Sequence, residues 1–119
     1  MKNELIFIVE DDKDIRDNLK EILEAEGYSV AVAENGRVAL DCLQQGYLTP
    51  SLILLDLMMP IMDGWTFLTM IKDSQLSTIP IVVISAGTSK IEGKIAGFMK
   101  KPLDLDDVLT SVVKFCSPN

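Results

Sequence analysis

The feature that most constrains this chain is a series of short, almost wholly apolar runs set between helical patterns. Leu5–Val9 (LIFIV), the LILL run from Leu52 and Ile79–Ser85 (IPIVVIS) show no alternation of apolar and polar residues. A strand with one wet face alternates; a strand apolar throughout is covered on both faces, as in a parallel sheet between helices. Tyr28–Ala33 (YSVAVA) and Gly97–Lys100 (GFMK) are two further strand candidates. Between them Ile15, Leu19, Ile22 and Leu23 recur at helical spacing and Gly27 ends that helix. Gly36–Gln45 forms a second helix with Val38, Leu40 and Leu43 as inward candidates. Asp63 can cap a third, containing Phe67, Leu68 and Ile71. Asp104–Cys116 closes the chain as an amphipathic helix with Leu105, Val108, Leu109 and Val112.

Five strands alternating with helices predict an α/β fold, a doubly wound five-stranded parallel sheet. At 119 residues the expectation is one domain over residues 1–119, with no linker, no signal peptide and no output domain in the chain. No apolar run reaches the length of a membrane span. A net charge of −7 argues against direct contact with nucleic acid or an anionic membrane. The absence of histidine removes a His-based triad, His metal ligands and a His general base from this chain. Cys42 and Cys116 lack metal-type spacing and read as buried, reduced thiols of a cytoplasmic protein.

Ligands of such sheets bind beyond the carboxyl ends of the strands, where the strand order reverses. Glu10, Asp11 and Asp12 follow the first strand, Asp56 the third, Ser85 the fourth, and Lys101 ends the fifth. In the order 2-1-3-4-5 the first and third strands are neighbours, so Glu10, Asp11 and Asp56 crowd one pocket. Two like unit charges 4 Å apart repel by about 4 kcal/mol at an effective dielectric of 20. A hard divalent cation such as Mg²⁺, which takes carboxylate and water oxygens, relieves that repulsion. Lys101 adds a compact charge suited to a phosphate oxygen, Ser85 a hydroxyl donor, and Asp56 a carboxylate able to act as a nucleophile.

These residues carry a resemblance. IVEDD after the first strand, LLDLMMPIMDG around Asp56, VISA at the fourth strand and KKP at the fifth resemble, in order, the motifs of the receiver domain of two-component response regulators. The resemblance covers essentially the whole chain and implies the flavodoxin-like order 2-1-3-4-5 of the chemotaxis regulator. It implies that Asp56 is the phosphoacceptor and that Glu10 (in place of the commoner aspartate), Asp11, Asp56 and the Met58 backbone carbonyl hold Mg²⁺. Ser85 matches the switch hydroxyl, Lys101 the phosphate-binding lysine, and Phe98 the aromatic switch. The Lys101–Pro102 bond matches one that is usually cis in the family. The implied function is a phosphoacceptor signalling domain, not an enzyme acting on other substrates. It would be phosphorylated by a histidine kinase or histidine phosphotransfer protein and would change conformation for a downstream protein. The chain could be free-standing or part of a hybrid kinase. A phosphorylation-independent interaction module on the same fold is the alternative.

The chain departs from the family between Ser85 and Lys101, which are 16 positions apart. The family usually has about six more, almost two helical turns. What remains, GTSKIEGKIAG, holds three glycines and a possible Ser89/Glu92 capping box. The expectation is a fourth helix that is short, frayed or absent, with output contacts on another face or an unusual partner at the shortened region.

Overall fold

A computed structural model describes residues 4–87, 91 and 94–116. Its elements run β1 (Leu5–Val9), α1 (Lys13–Ala25), β2 (Ser29–Ala33), α2 (Gly36–Gln44), β3 (Leu52–Asp56), α3 (Gly64–Ile71), a 3₁₀ turn (Gln75–Thr78), β4 (Ile81–Ser85), β5 (Gly97–Lys100) and α4 (Leu105–Phe115). All strand pairs are parallel, in the order β2-β1-β3-β4-β5. The doubly wound α/β sheet of the sequence reading is therefore present.

The apolar runs are strands because they have two faces to bury. Phe7, Val9, Ile53, Leu55, Ile81 and Val83 pack with Ala39, Leu40 and Leu43 of α2 and Phe67, Leu68 and Ile71 of α3. Their neighbours in sequence, Ile6, Ile8, Leu52, Leu54, Val82 and Ile84, pack with Leu19 and Leu23 of α1 and Val108 and Val112 of α4. Alternation along each strand thus deals one set of side chains to each helical layer. Burying one such Leu, Ile or Phe contributes about 1.5–3 kcal/mol.

The helix ends follow from local chemistry. Asp12, Asn35, Asp63 and Asp104 cap α1 to α4, each accepting a backbone N–H of the first turn. Such caps are worth about 1 kcal/mol each. At the end of α1, Gly27 (φ 98°) lets its own N–H reach Glu24 O and that of Tyr28 reach Leu23 O, both at 3.1 Å. That is the paired closure a left-handed residue after a helix makes possible.

Some expectations need correction. Tyr28 and Ile79 lie outside their strands; Ile79 instead ends the 3₁₀ turn. Val38 and Leu105, expected to face inward, are exposed, while Ala39, Leu40, Leu43, Val108 and Val112 fill the core. Cys116 is buried but Cys42 only half-buried. No helix occurs among the described residues between β4 and β5. The Ser89/Glu92 capping box lies outside them. No helix among the described residues is long and apolar enough to cross a membrane.

Gly64 has no room for a side chain. A Cβ on Gly64 would stand 2.6 Å from Asp56 O and 2.8 Å from Leu57 Cα, both backbone atoms that cannot swing away. Gly64 N–H closes the loop after β3 onto Leu57 O at 2.9 Å. Gly64→Ala is expected to lower stability by about 2 kcal/mol or more, read as an earlier midpoint in urea unfolding with an unchanged slope.

Candidate phosphoacceptor and cation site

The register of the sheet builds the site. Val9 pairs with Leu55, so Glu10 and Asp56, the next residue of each strand run, come side by side. Asp56 pairs with Ile84 and Ser85 with Lys100, which puts Ser85 and Lys101 at the same edge. Backbone bonds hold these ends: Glu10 N–H donates to Ala33 O at 3.0 Å and Lys101 N–H to Ser85 O at 2.8 Å. The Lys101–Pro102 peptide is cis.

Glu10, Asp56 and Ser85 are buried, with 0%, 2% and 1% of their surface exposed, whereas Asp11 is exposed. Carboxylate oxygens of Glu10, Asp11 and Asp56 all lie within 4.8 Å of one another. Lys101 Nζ reaches into the cluster, 2.8 Å from Glu10 Oε1 and 3.4 Å from Asp56 Oδ2. Glu10 Oε2 accepts Asp12 N–H at 3.1 Å, and Asp56 Oδ1 accepts Met58 N–H weakly at 3.4 Å. The Ser85 hydroxyl oxygen accepts Gly87 N–H at 3.2 Å. Met58 and Phe98 both have exposed side chains, Phe98 at 42%. The structure thus brings Glu10, Asp11, Asp56 and Lys101 into one cluster, with Ser85 at the neighbouring strand end and Phe98 in β5.

Three features escaped the sequence reading. Arg16 reaches back from α1, its Nη1 donating to Glu10 O at 2.9 Å and Asp11 O at 3.3 Å. Gly36, at the start of α2, donates to Met62 O at 2.9 Å and so ties that helix to the loop after Asp56. In the same loop Met62 N–H donates to Pro60 O at 2.7 Å around Ile61, which has φ 69° and is largely exposed. A three-residue turn with positive φ at a β-branched residue is strained.

The electrostatics are unfavourable as they stand. Burial pushes the Glu10 carboxyl up to about 7; the Lys101 ammonium pulls it down, and the Asp56 carboxylate pushes it up again. Asp56 is also raised, first by burial, with Asp11 adding to the shift and Glu10, Lys101 and Met58 N–H opposing it. Burial alone would lower Lys101, but Glu10 and Asp56 outweigh it and hold the ammonium above its usual value. When all are ionised, three carboxylates face one ammonium. Glu10 Oε1 is fully buried and takes no well-aligned hydrogen bond; its close partner is the Lys101 ammonium. An all-oxygen donor set with surplus negative charge fits a hard divalent cation. The same arrangement, a carboxylate beside an ammonium, fits phosphoryl transfer.

The imbalance has a stability consequence. Glu10 binds its proton more tightly folded, near 7, than at its ordinary value of 4.5, so without metal the folded state loses stability as pH rises between those values. Glu10→Gln is expected to remove this slope. Melting curves without metal should show the variant gaining on the wild type from pH 5 to pH 8, by roughly 1 kcal/mol or more at the upper end.

Comparison with known proteins places the chain in a family. The family model for the response regulator receiver domain matches residues 6–113. Response regulator MprA of Mycolicibacterium vanbaalenii is 34% identical over 87% of this chain, which spans 46% of that protein. The chain spans less than half the length of the first curated relatives it matches. Sporulation initiation phosphotransferase F of Bacillus subtilis is 36% identical, over 97% of this chain and 95% of that protein. Response regulator TrrA of Thermotoga maritima, solved with Mg²⁺ and BeF, superposes with a TM-score of 0.82 at 26% identity, covering 95% of this chain and 99% of that one. The match reaches from the first strand into the last helix and takes in every element that builds the site, so the chain belongs to the response regulator receiver domain family, a family of phosphoacceptor signalling switches.

Proposed function

We propose that the chain, read as a single receiver domain over residues 1–119, accepts a phosphoryl group on Asp56 from the phosphohistidine of a histidine kinase or histidine phosphotransfer protein. The observation that carries this reading is the convergence of Glu10, Asp11, Asp56 and Lys101 at one edge of the sheet. Glu10, Asp11, Asp56 and the Met58 carbonyl would hold Mg²⁺. Bound there, Mg²⁺ supplies the charge neutralisation that carboxylates and phosphoryl oxygens both need.

An Asp56 carboxylate oxygen attacks phosphorus as the bond from phosphorus to the donor imidazole breaks, and the departing nitrogen keeps the electron pair. The buried strand holds Asp56 still, so little ordering remains to be done at the moment of reaction. Lys101, already beside Asp56, shifts its ammonium to a phosphoryl oxygen. Ser85 turns its hydroxyl to donate to another, giving up the Gly87 N–H it accepts at rest. Phe98, exposed in this state, moves toward burial, and a downstream protein reads the new surface. Catalysis is confined to the chain's own phosphorylation and dephosphorylation. The setting is the cytoplasm, without direct contact to membrane or nucleic acid, in keeping with the net charge of −7.

Intact-mass spectrometry after incubation with acetyl phosphate and Mg²⁺ is expected to show one added phosphoryl group on the wild type and none on Asp56→Asn. An unmodified wild type would instead favour a phosphorylation-independent interaction module.

The side chains that flank the acceptor also bear on the lifetime of the product. Met58 is apolar and Gly87 has no side chain, so neither can orient a water for attack on the acyl phosphate. Loss of the phosphoryl group is then limited by water positioning. Gly87→Glu is expected to speed the decay by about tenfold, within the range general-base assistance supplies. An unchanged decay time would remove that limit from the account.

A further inference from the structure

Arg16 has two separate roles in the hydrogen-bond pattern. Its backbone N–H serves α1, donating to Asp12 O at 3.0 Å. Its side chain turns back over the preceding loop, where Nη1 donates to the carbonyls of Glu10 and Asp11 at 2.9 and 3.3 Å. Those are the two residues whose carboxylates meet Asp56. Beyond Val9 the β1–β3 ladder ends, the Glu10 N–H bond to Ala33 O is the last tie to the sheet, and α1 begins only at Lys13. The turn between is pinned from one side by Asp12 N–H on Glu10 Oε2 and from the other by Arg16.

We infer that Arg16 is a positioning residue for the cation site: by holding the Glu10 and Asp11 carbonyls it fixes the directions in which their carboxylates leave the backbone. The inference rests on the proposed Mg²⁺ site. Charge alone predicts the opposite effect, because a guanidinium close to a cation repels it. A contribution of Arg16 to Mg²⁺ binding must therefore come through geometry. Lysine cannot substitute. Its stem is one atom shorter, and its ammonium lacks the planar fork that presents an N–H outward at a fixed angle. Groups that orient metal ligands without touching the metal typically change its affinity by about 10- to 100-fold when removed.

The test is a titration of the full chain with MgCl₂, followed by ¹H–¹⁵N amide shifts, for the wild type, Arg16→Lys and Arg16→Met. Melting temperatures with and without Mg²⁺ are measured alongside. Arg16→Lys keeps the charge and most of the stem, and Arg16→Met keeps the stem alone. Both variants are expected to bind Mg²⁺ about tenfold more weakly, with the melting temperature little changed without Mg²⁺ and a smaller rise on adding it. An unchanged or tighter affinity in Arg16→Lys overturns the inference, whatever happens to metal-free stability. The two layers of the argument separate cleanly. A wild type whose Glu10 and Asp11 amides ignore Mg²⁺ removes the cation site and this role with it. A wild type that binds, with an Arg16→Lys that binds equally, leaves the site standing and removes Arg16 from it.

Discussion

The structure depends on the parallel register of β1 and β3. Ile6–Val9 lie opposite Leu52–Leu55, with all eight side chains buried. A slip of one residue would turn every one of those side chains into the opposite layer. Burial of both faces therefore locks the register, and the locked register brings Glu10 and Asp56 together. The apolar core and the acidic edge are one design: the greasier the strands, the more firmly the carboxylates at their ends are held against their mutual repulsion.

That repulsion is real. Burial holds the Glu10 and Asp56 carboxyls above their ordinary values, and one lysine cannot balance three acids. A residue pair that weakens the empty fold is unlike a structural salt bridge, where desolvation is offset by a matched partner. It is the pattern of a site whose charge is completed from outside. The strained turn at Ile61 belongs to the same region, and strain of this kind persists only where the surroundings over-determine it. Here the ties are Gly64 N–H on Leu57 O and Gly36 N–H on Met62 O.

Much of this was legible in the residues. Continuous apolar strands signalled two-sided burial, and acids or a lysine directly after them marked the edge where those side chains converge. What the residues did not reveal has physical reasons. Val38 and Leu105 sit in the first turns of α2 and α4, where too few residues exist for periodicity to decide which way a side chain points. Ile79 looked like strand because it is β-branched, yet the 3₁₀ turn before it is closed by its own N–H on Leu76 O. The positive φ of Ile61 had no signal at all, since isoleucine is a residue that avoids it. Arg16 carried no signal in the sequence; its partners are carbonyls five and six residues back, and no side-chain pattern encodes those.

One backbone bond described above has a mechanical meaning. The N–H of Lys101 is held by the carbonyl of Ser85, so the hydroxyl and the ammonium at this edge hang from the two ends of a single rigid link. If the end of β4 shifts, the root of the lysine shifts with it. The chain cannot tune the reach of one without resetting the other.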